Sequence, residues 1–317
     1  MIRSDLDFTI LIATKDRPKE LALLLDSITK STVLPSKIVI VFTGTDMSQI
    51  AANYATTLNI ELIRSEIASQ IFQKSKGIEK LQSESDWILF LDDDVLVDKN
   101  AIELLINKYV NNIKYAHYAG FGLAVKNTTQ RNLIFLTKLM LYAISLYAFK
   151  PGSITKSGHP QSYLLQKNNC EVSWLNGISL WRAEVLGEYS KNDLYVEYSS
   201  YEDVIFSYRL GKMKKLLFVS DVFVTSQTEA ISNLPSERSF LFASYLRYYF
   251  VDKNDEFSKK WLLVAQLFRG VHFVFKPNDD SKIFSRIKIS IKIWFSLYGA
   301  VIKKVNGAKL VRSKFQL

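Results

Sequence analysis

Cysteine is nearly absent from this chain. Cys170 is the one thiol in 317 residues, so an internal disulfide and a cysteine-based metal cluster are both excluded. The composition suits a reducing compartment such as the cytoplasm. No base stands near Cys170 in sequence, which favours a packed thiol over a nucleophile. The opening residues, Met1 to Asp7, lack the basic start, apolar run and small-residue cleavage site of a signal peptide, and the protein is expected to stay where it is made. No Gly-x-Gly-x-x-Gly follows the first apolar segment, which sets aside a Rossmann dehydrogenase. Internal repeats and low-complexity tracts are also missing. The longest apolar stretch, Leu133–Phe149, is interrupted by Lys138. It is short for a membrane span and reads as a buried or membrane-facing amphipathic helix.

What is present is a large apolar fraction, 48% of residues, enough to bury a sizeable core. Phe8–Ala13, Lys37–Phe42, Ile60–Arg64 and Trp87–Leu91 are short, apolar, β-branched runs that read as buried strands. Between them, Leu21, Leu24, Leu25 and Ile28 recur at helical spacing behind Pro18, which suits a first helical turn. Further helices are predicted around Met47–Thr57, Gln70–Gln82 and Asn100–Val110. Alternating strands and helices predict an α/β fold with a parallel sheet. Such sheets bind ligands beyond the carboxyl ends of their strands, where Asp16, Asp46 and Asp92–Asp94 all fall.

Three clusters carry candidate chemistry. Asp92, Asp93 and Asp94 directly follow a strand. Adjacent carboxylates repel one another unless water or a cation neutralises them, and such hard oxygens suit Mg²⁺ or Mn²⁺. Asp92 and Asp94 are two apart and share a face of an extended segment. An acidic loop capping the next helix is the alternative. Glu202 and Asp203 open an apolar-periodic segment, where acids are stabilised by the helix dipole or, alternatively, serve as a general base. In Trp174-Leu175-Asn176-Gly177, the glycine permits close backbone approach to a ligand. Trp174 is suited to stacking on a sugar face and equally to filling a core.

Together these segments resemble the family 2 glycosyltransferases. The resemblance rests on the strand leading into Thr14-Lys15-Asp16-Arg17-Pro18, on Lys74-Ser75-Lys76-Gly77-Ile78, on Trp87–Asp94, on Trp174–Gly177 with Trp181-Arg182, and on Tyr201-Glu202-Asp203 through Arg209-Leu210. It covers about residues 6–250, with motifs weak singly and specific in their order. It implies a GT-A fold, an inverting reaction and a nucleotide-diphosphate sugar donor. On that basis Asp94 and Asp92 would hold Mg²⁺ or Mn²⁺, Asp92 and Asp93 would face the donor, and Thr14, Asp16 and Arg17 would line the nucleotide pocket. Asp203 would be the base, with Glu202 beside it, and Trp174, Gly177 and Arg182 would lie on the acceptor side.

Two departures stand out. The aspartate that usually follows the second strand is replaced by Phe42 or Thr43, with Asp46 the nearest substitute. The histidine usual after the strand following the Glu-Asp helix is missing from Val222–Gln227. His117, His159 and His272 match no family position and are expected to be structural or on the surface.

The net charge of +10 is unevenly placed. Residues 231–317 hold 16 Lys/Arg against 6 Asp/Glu, leaving 25 of each (41 − 16 and 31 − 6) in residues 1–230. A basic tail favours an anionic partner. From Ser281 the tail reads as a helix with Phe284, Ile291, Trp294, Phe295, Tyr298 and Ile302 on one arc and Lys288, Lys292 and Lys303 opposite, the pattern of an interfacial membrane helix. The alternative is that this arc docks on the protein itself. No base-reading module is present, so nucleic acid is not an expected partner.

The expected organisation is a GT-A catalytic domain over 1–230 (a nucleotide-sugar half to 110, an acceptor half from 111) and a basic helical region over 231–317. The expected activity is sugar transfer to a glycan or lipid-linked acceptor in cell-surface polysaccharide synthesis, with the anionic inner face of the membrane engaged through 281–305. A non-catalytic nucleotide-sugar or membrane-binding protein that kept the fold is the competing reading.

Overall fold

The computed structural model describes residues 7–81, 83–126, 134–188, 201–227, 236–275 and 283–315. The apolar runs become β1 (Phe8–Lys15), β2 (Lys37–Thr43), β3 (Ile60–Arg64) and β4 (Trp87–Asp92). All three pairings among these strands are parallel, β1 lying between β2 and β4. Residues 8–14 of β1 are buried on both sides, which is why the run is continuously apolar rather than alternating. The helices between them are α1 (Pro18–Thr29), α2 (Ser48–Tyr54) and α3 (Gln70–Leu81). Pro18 sits in the first turn of α1, and Leu21, Leu24, Leu25 and Ile28 form its buried stripe.

The second half of the sheet departs from simple alternation. β5 (Val95–Val97) is followed by α4 (Ala101–Leu105) and one wider helical turn, then by β6 (Tyr118–Lys126), β7 (Cys170–Val172), β8 (Ser179–Arg182) and β9 (Lys215–Ser226). The sheet order is β3-β2-β1-β4-β8-β6-β9-β5, with β7 also on β9. β8 is antiparallel to both β4 and β6, whereas β6 and β9 are parallel. The result is a mixed, mainly parallel sheet of the GT-A type. Leu24, Ile40, Leu89, Ile102 and Phe121 belong to one apolar cluster. Leu11, Ile78, Phe90, Trp181 and Phe206 belong to a second. β1 supplies Ile10 and Ile12 to the first and Leu11 to the second, the period-2 alternation of a two-sided strand.

The remaining helices are α5 (Phe135–Ala143), α6 (Glu202–Gly211), α7 (Ser236–Lys253), α8 (Lys259–Val274), α9 (Ile283–Ile302) and α10 (Gly307–Phe315). The chain divides into two compact units. Residues 1–130, 163–197 and 206–231 form the sheet unit; 131–162, 198–205 and 232–317 form a helical unit. The helical unit thus takes in 131–162 as well as the tail beyond residue 231. Within it α7, α8 and α9 pack on one another and α10 packs on α7.

α5 corresponds to the apolar stretch around Lys138, and no residue of α5 is buried. α9 buries Arg286, Ile293, Leu297 and Ala300, with the Trp294 indole donating to the Leu263 carbonyl at 3.1 Å. The predicted arc is a different stripe, and Phe284, Ile291, Phe295, Tyr298 and Ile302 on it are exposed. α8 likewise exposes Leu267, Phe268 and Val271. No described helix is long and apolar enough to cross a membrane.

Candidate active site

Strand β4 delivers the acids. Burial alternates along Leu91–Val97: Leu91, Asp93, Val95 and Val97 are buried, and Asp92, Asp94 and Leu96 are half-buried, with Asp93 and Asp94 in the turn between β4 and β5. Asp93 is therefore enclosed, accepting from Thr14 Oγ1 at 2.6 Å and from Arg17 Nη1 at 2.9 Å. Arg17 Nη1 also reaches Asp94 at 3.0 Å. Burial pushes the Asp93 carboxyl up to about 6, against the opposing pull of Thr14 and Arg17. Asp94 is raised as well, first by burial and then by the neighbouring charge of Asp92, with Arg17 opposing. One guanidinium thus meets two carboxylates with Asp92 beside them, and the end of β4 keeps a surplus of negative charge.

Asp92 is fixed by two features that the sequence did not announce. Gln70, at the start of α3, donates its amide to Asp92 Oδ1 at 3.0 Å. Gly177 lies so close that a Cβ there would come within 2.9 Å of both Asp92 carboxylate oxygens; any side chain would displace the acid. Gln73, one turn further along α3, is buried and donates to the carbonyls of Thr14 and Val41 at 2.9 Å each. It ties the carboxyl ends of β1 and β2 together. A polar residue on an apolar helix face was the available signal for Gln73.

The loops after β1 and β2 are joined through Asp16. It adopts a positive φ of 55° and accepts from Thr45 N at 2.9 Å and Thr45 Oγ1 at 3.0 Å. The Thr45 backbone amide, then its hydroxyl, holds the Asp16 carboxyl below its ordinary range. Asp46 accepts from the backbone and hydroxyl of Ser48 at 3.0 and 2.7 Å, a local cap at the start of α2. Both acids are exposed.

Among the acceptor-side candidates, Trp174 packs edge-on against Tyr163 with ring centroids 5.0 Å apart. Arg182 is paired with Trp87 at the start of β4, the end remote from Asp92. It donates to the carbonyls of Tyr118 and Ala116 at 3.0 and 2.9 Å and stacks over the Trp87 ring. The structure therefore groups Thr14, Arg17, Asp92, Asp93, Asp94 and Gly177 and leaves Arg182 at the opposite edge of the strand. Glu202 and Asp203 occupy the first turn of α6, Glu202 buried and Asp203 half-buried. Further along that helix Phe206 packs on Phe90 and Trp181, and Arg209 has its Nε and Nη2 enclosed without a partner among the described residues.

A divalent cation fits the donor set. Asp92 and Asp94 offer hard, half-buried oxygens with charge left over, the pattern in which Mg²⁺ or Mn²⁺ is held by one or two carboxylates and completed by substrate phosphate and water. Among the described residues no group of three or more His, Cys, Asp or Glu side chains is arranged to hold an ion. Where the family histidine is missing, Gln227 stands at the end of β9. Its backbone N–H donates to the Asp94 carbonyl at 2.8 Å, its amide nitrogen bonds the carbonyls of Glu20 and Val95, and its enclosed Oε1 has no partner among the described residues.

A mixed sheet with a parallel first half and an acid cluster at the end of its fourth strand is the GT-A arrangement. Residues 9–155, a little under half of the chain, match the family model for Glycosyl transferase family 2. A search of the curated proteins found no match. Among solved structures, S. aureus TarS is similar at a TM-score of 0.54 and 18% identity, over 95% of this chain and 49% of that one. The 1–349 form of TarS in complex with UDP-GlcNAc aligns at a TM-score of 0.53 and 16% identity, over 98% of this chain and 92% of that one. GalNAc-T7 with UDP, GalNAc and Mn²⁺ gives 0.55 and 14%, over 94% of this chain and 58% of that one. This chain spans about half the length of the first TarS chain.

Proposed function

We propose that this protein transfers a sugar from a nucleotide-diphosphate sugar to a hydroxyl of a glycan or lipid-linked acceptor, with inversion and with a divalent metal, in cell-surface polysaccharide synthesis. The observation that carries the reading is the uneven enclosure of the acid cluster: Asp93 is buried against Thr14 and Arg17, while Asp92 and Asp94 stay half-buried, with Asp94 sharing Arg17. The UDP-GlcNAc of the TarS complex and the UDP and Mn²⁺ of the GalNAc-T7 complex support the donor and metal assignments. In this reading Asp92 and Asp94 would hold Mg²⁺ or Mn²⁺, whose positive charge would favour departure of a diphosphate. Arg17 keeps the three acids compatible and orients Asp94. Gln70 and Gly177 keep Asp92 in place. Thr14 and Asp16 shape the edge of the nucleotide pocket.

Asp203 is the general base. The acceptor oxygen forms a bond to the anomeric carbon, the carbon–oxygen bond to the diphosphate breaks, and the acceptor proton passes to Asp203. Glu202 is a positioning residue beside it. Asp203→Asn is expected to lower kcat by about 10²–10⁴-fold while donor affinity, measured by thermal shift with UDP-, GDP- and dTDP-sugars in Mn²⁺, stays within about twofold. Equal loss of transfer and donor binding would overturn the base assignment. Absence of any metal-dependent donor binding or hydrolysis would overturn the donor reading.

The helical unit is proposed to lie on the inner face of the cell membrane. The exposed arc of Phe284, Ile291, Phe295, Tyr298 and Ile302 on α9 and the basic balance of residues 231–317 support this, since apolar area and cationic residues act together at an anionic interface.

A further inference from the structure

A second charged cluster lies wholly inside the helical unit. Arg247 on α7 is 3% exposed, and its Nε and Nη1 have no hydrogen-bond partner among the described residues. Its guanidinium lies over the ring of Tyr201, 5.5 Å from the centroid. Arg269 on α8 is close enough for its charge to act on neighbouring groups together with that of Arg247. Arg269 stacks over Phe240 and donates to Gln266 at 3.2 Å. His159 is the third member: its Nδ1 is enclosed and unpartnered among the described residues, and burial, then Arg247 and Arg269, hold its ring well below the usual range, in the neutral form. Gly158 lets the chain pass; a Cβ there would come within 2.7 Å of Val251 and 3.2 Å of the Arg247 stem. Among the described residues no carboxylate forms an ion pair with either arginine.

Two like charges, one buried and one half-buried, with no carboxylate partner among the described residues are unfavourable. A buried, unpaired ion stays destabilising even after the surroundings relax. Arginine cannot relieve that cost by losing its proton, as a lysine can. An oxyanion relieves it: guanidinium N–H groups match phosphate oxygens in geometry and charge.

We propose that Arg247 and Arg269, with His159 at the edge, form a phosphate-binding site in the helical unit. The site stands on these residues alone and does not require the proposed sugar transfer. Two sources share the chemistry: the diphosphate of a nucleotide donor and the phosphate of a lipid-linked acceptor.

The test uses the whole protein with inorganic pyrophosphate, UDP and farnesyl diphosphate as probes, each with EDTA so that the acid cluster contributes nothing through metal. Pyrophosphate is expected to raise Tm and to bind at least tenfold more weakly to Arg247→Gln and Arg269→Gln. In phosphate-free buffer Arg247→Gln should melt at or above the parent Tm, because it removes an unpaired buried charge; a purely structural arginine would give the opposite. A tenfold loss of UDP affinity in the variants assigns the site to the donor. A loss confined to farnesyl diphosphate assigns it to the acceptor. Arg269→Gln, at a half-buried position, is the second variant and is judged by its pyrophosphate affinity alone. No Tm rise with pyrophosphate, or the same affinity in parent and variants, overturns the proposal.

Discussion

Arginine is used in opposite ways at two places in this chain. At the end of β4, Arg17 meets two carboxylates, Asp93 and Asp94, at 2.9 and 3.0 Å, and Asp92 leaves the cluster with excess negative charge. In the helical unit, Arg247 and Arg269 meet no carboxylate among the described residues, and the excess is positive. The same chemical rule governs both: an enclosed charge needs a counter-charge, and where the chain does not supply one the ligand does. The first place is suited to a cation and the second to an anion. Each can be disturbed separately, which makes the contrast testable.

The largest effect is expected at the acidic end. Asp94→Ala removes one of two half-buried carboxylates and leaves Arg17 with Asp93 alone. Mn²⁺-dependent donor affinity should fall by at least about 10²-fold, the scale of losing one charged stabilising group in a closed site. Pyrophosphate binding in EDTA should be unchanged. Titration calorimetry of a UDP-sugar with and without Mn²⁺ measures this. Normal metal-dependent binding in Asp94→Ala would erase the distinction between the two clusters.

A smaller effect separates Asp93 from its neighbours. Its carboxyl, raised to about 6 from an ordinary value near 3.8, binds its proton more tightly in the folded protein than in the unfolded chain. Folding stability from this group is greatest below pH 3.8 and is lost as pH rises through about 6. Asp93→Asn cannot ionise, so it escapes that loss. In EDTA, the stability of the variant relative to the parent should therefore rise between pH 4 and pH 7, by up to about 3 kcal/mol at 1.36 kcal/mol per pKa unit. Urea denaturation across this range tests it. A flat difference would mean that Arg17 and Thr14 fully offset the burial of Asp93.

How far the sequence disclosed this arrangement depended on whether the signal was local. β3 matches its expected span, Ile60–Arg64, and β1, β2 and β4 extend theirs by one or two residues, because a strand buried on both faces needs an unbroken apolar run. Pairings between distant, short segments left no comparable mark. β8 is four residues long and inserts antiparallel between β4 and β6, and nothing in Ser179–Arg182 states its direction. The same holds for Arg182, whose guanidinium meets two carbonyls from around β6, and for Gln70 and Gln73, whose partners are tens of residues away in sequence. The joining of 131–162 to the tail in one unit is likewise a tertiary fact. His159 and Arg247 gained their interest only when folding enclosed them together.

The gentlest test concerns a second contrast between the two units. α1 buries its apolar stripe, Leu21, Leu24, Leu25 and Ile28, whereas α9 keeps Phe284, Ile291 and Phe295 in solvent and buries Ile293, Leu297 and Ala300 instead. Replacing Leu24 would open a cavity in the core, at about 2–5 kcal/mol for a truncation to alanine. Replacing the three exposed α9 residues with serine should cost the fold under about 0.5 kcal/mol each, the range of ordinary surface changes. Their loss should instead weaken binding to anionic phosphatidylglycerol vesicles at least tenfold in a flotation assay. Lys288→Gln and Lys292→Gln should each weaken it by roughly fivefold at low salt, from about 1 kcal/mol per basic residue near the surface. Vesicle binding unaffected by either set would mean that the exposed arc serves no membrane. A large drop in Tm for the serine variants would mean that these side chains support the fold after all, removing the contrast with α1.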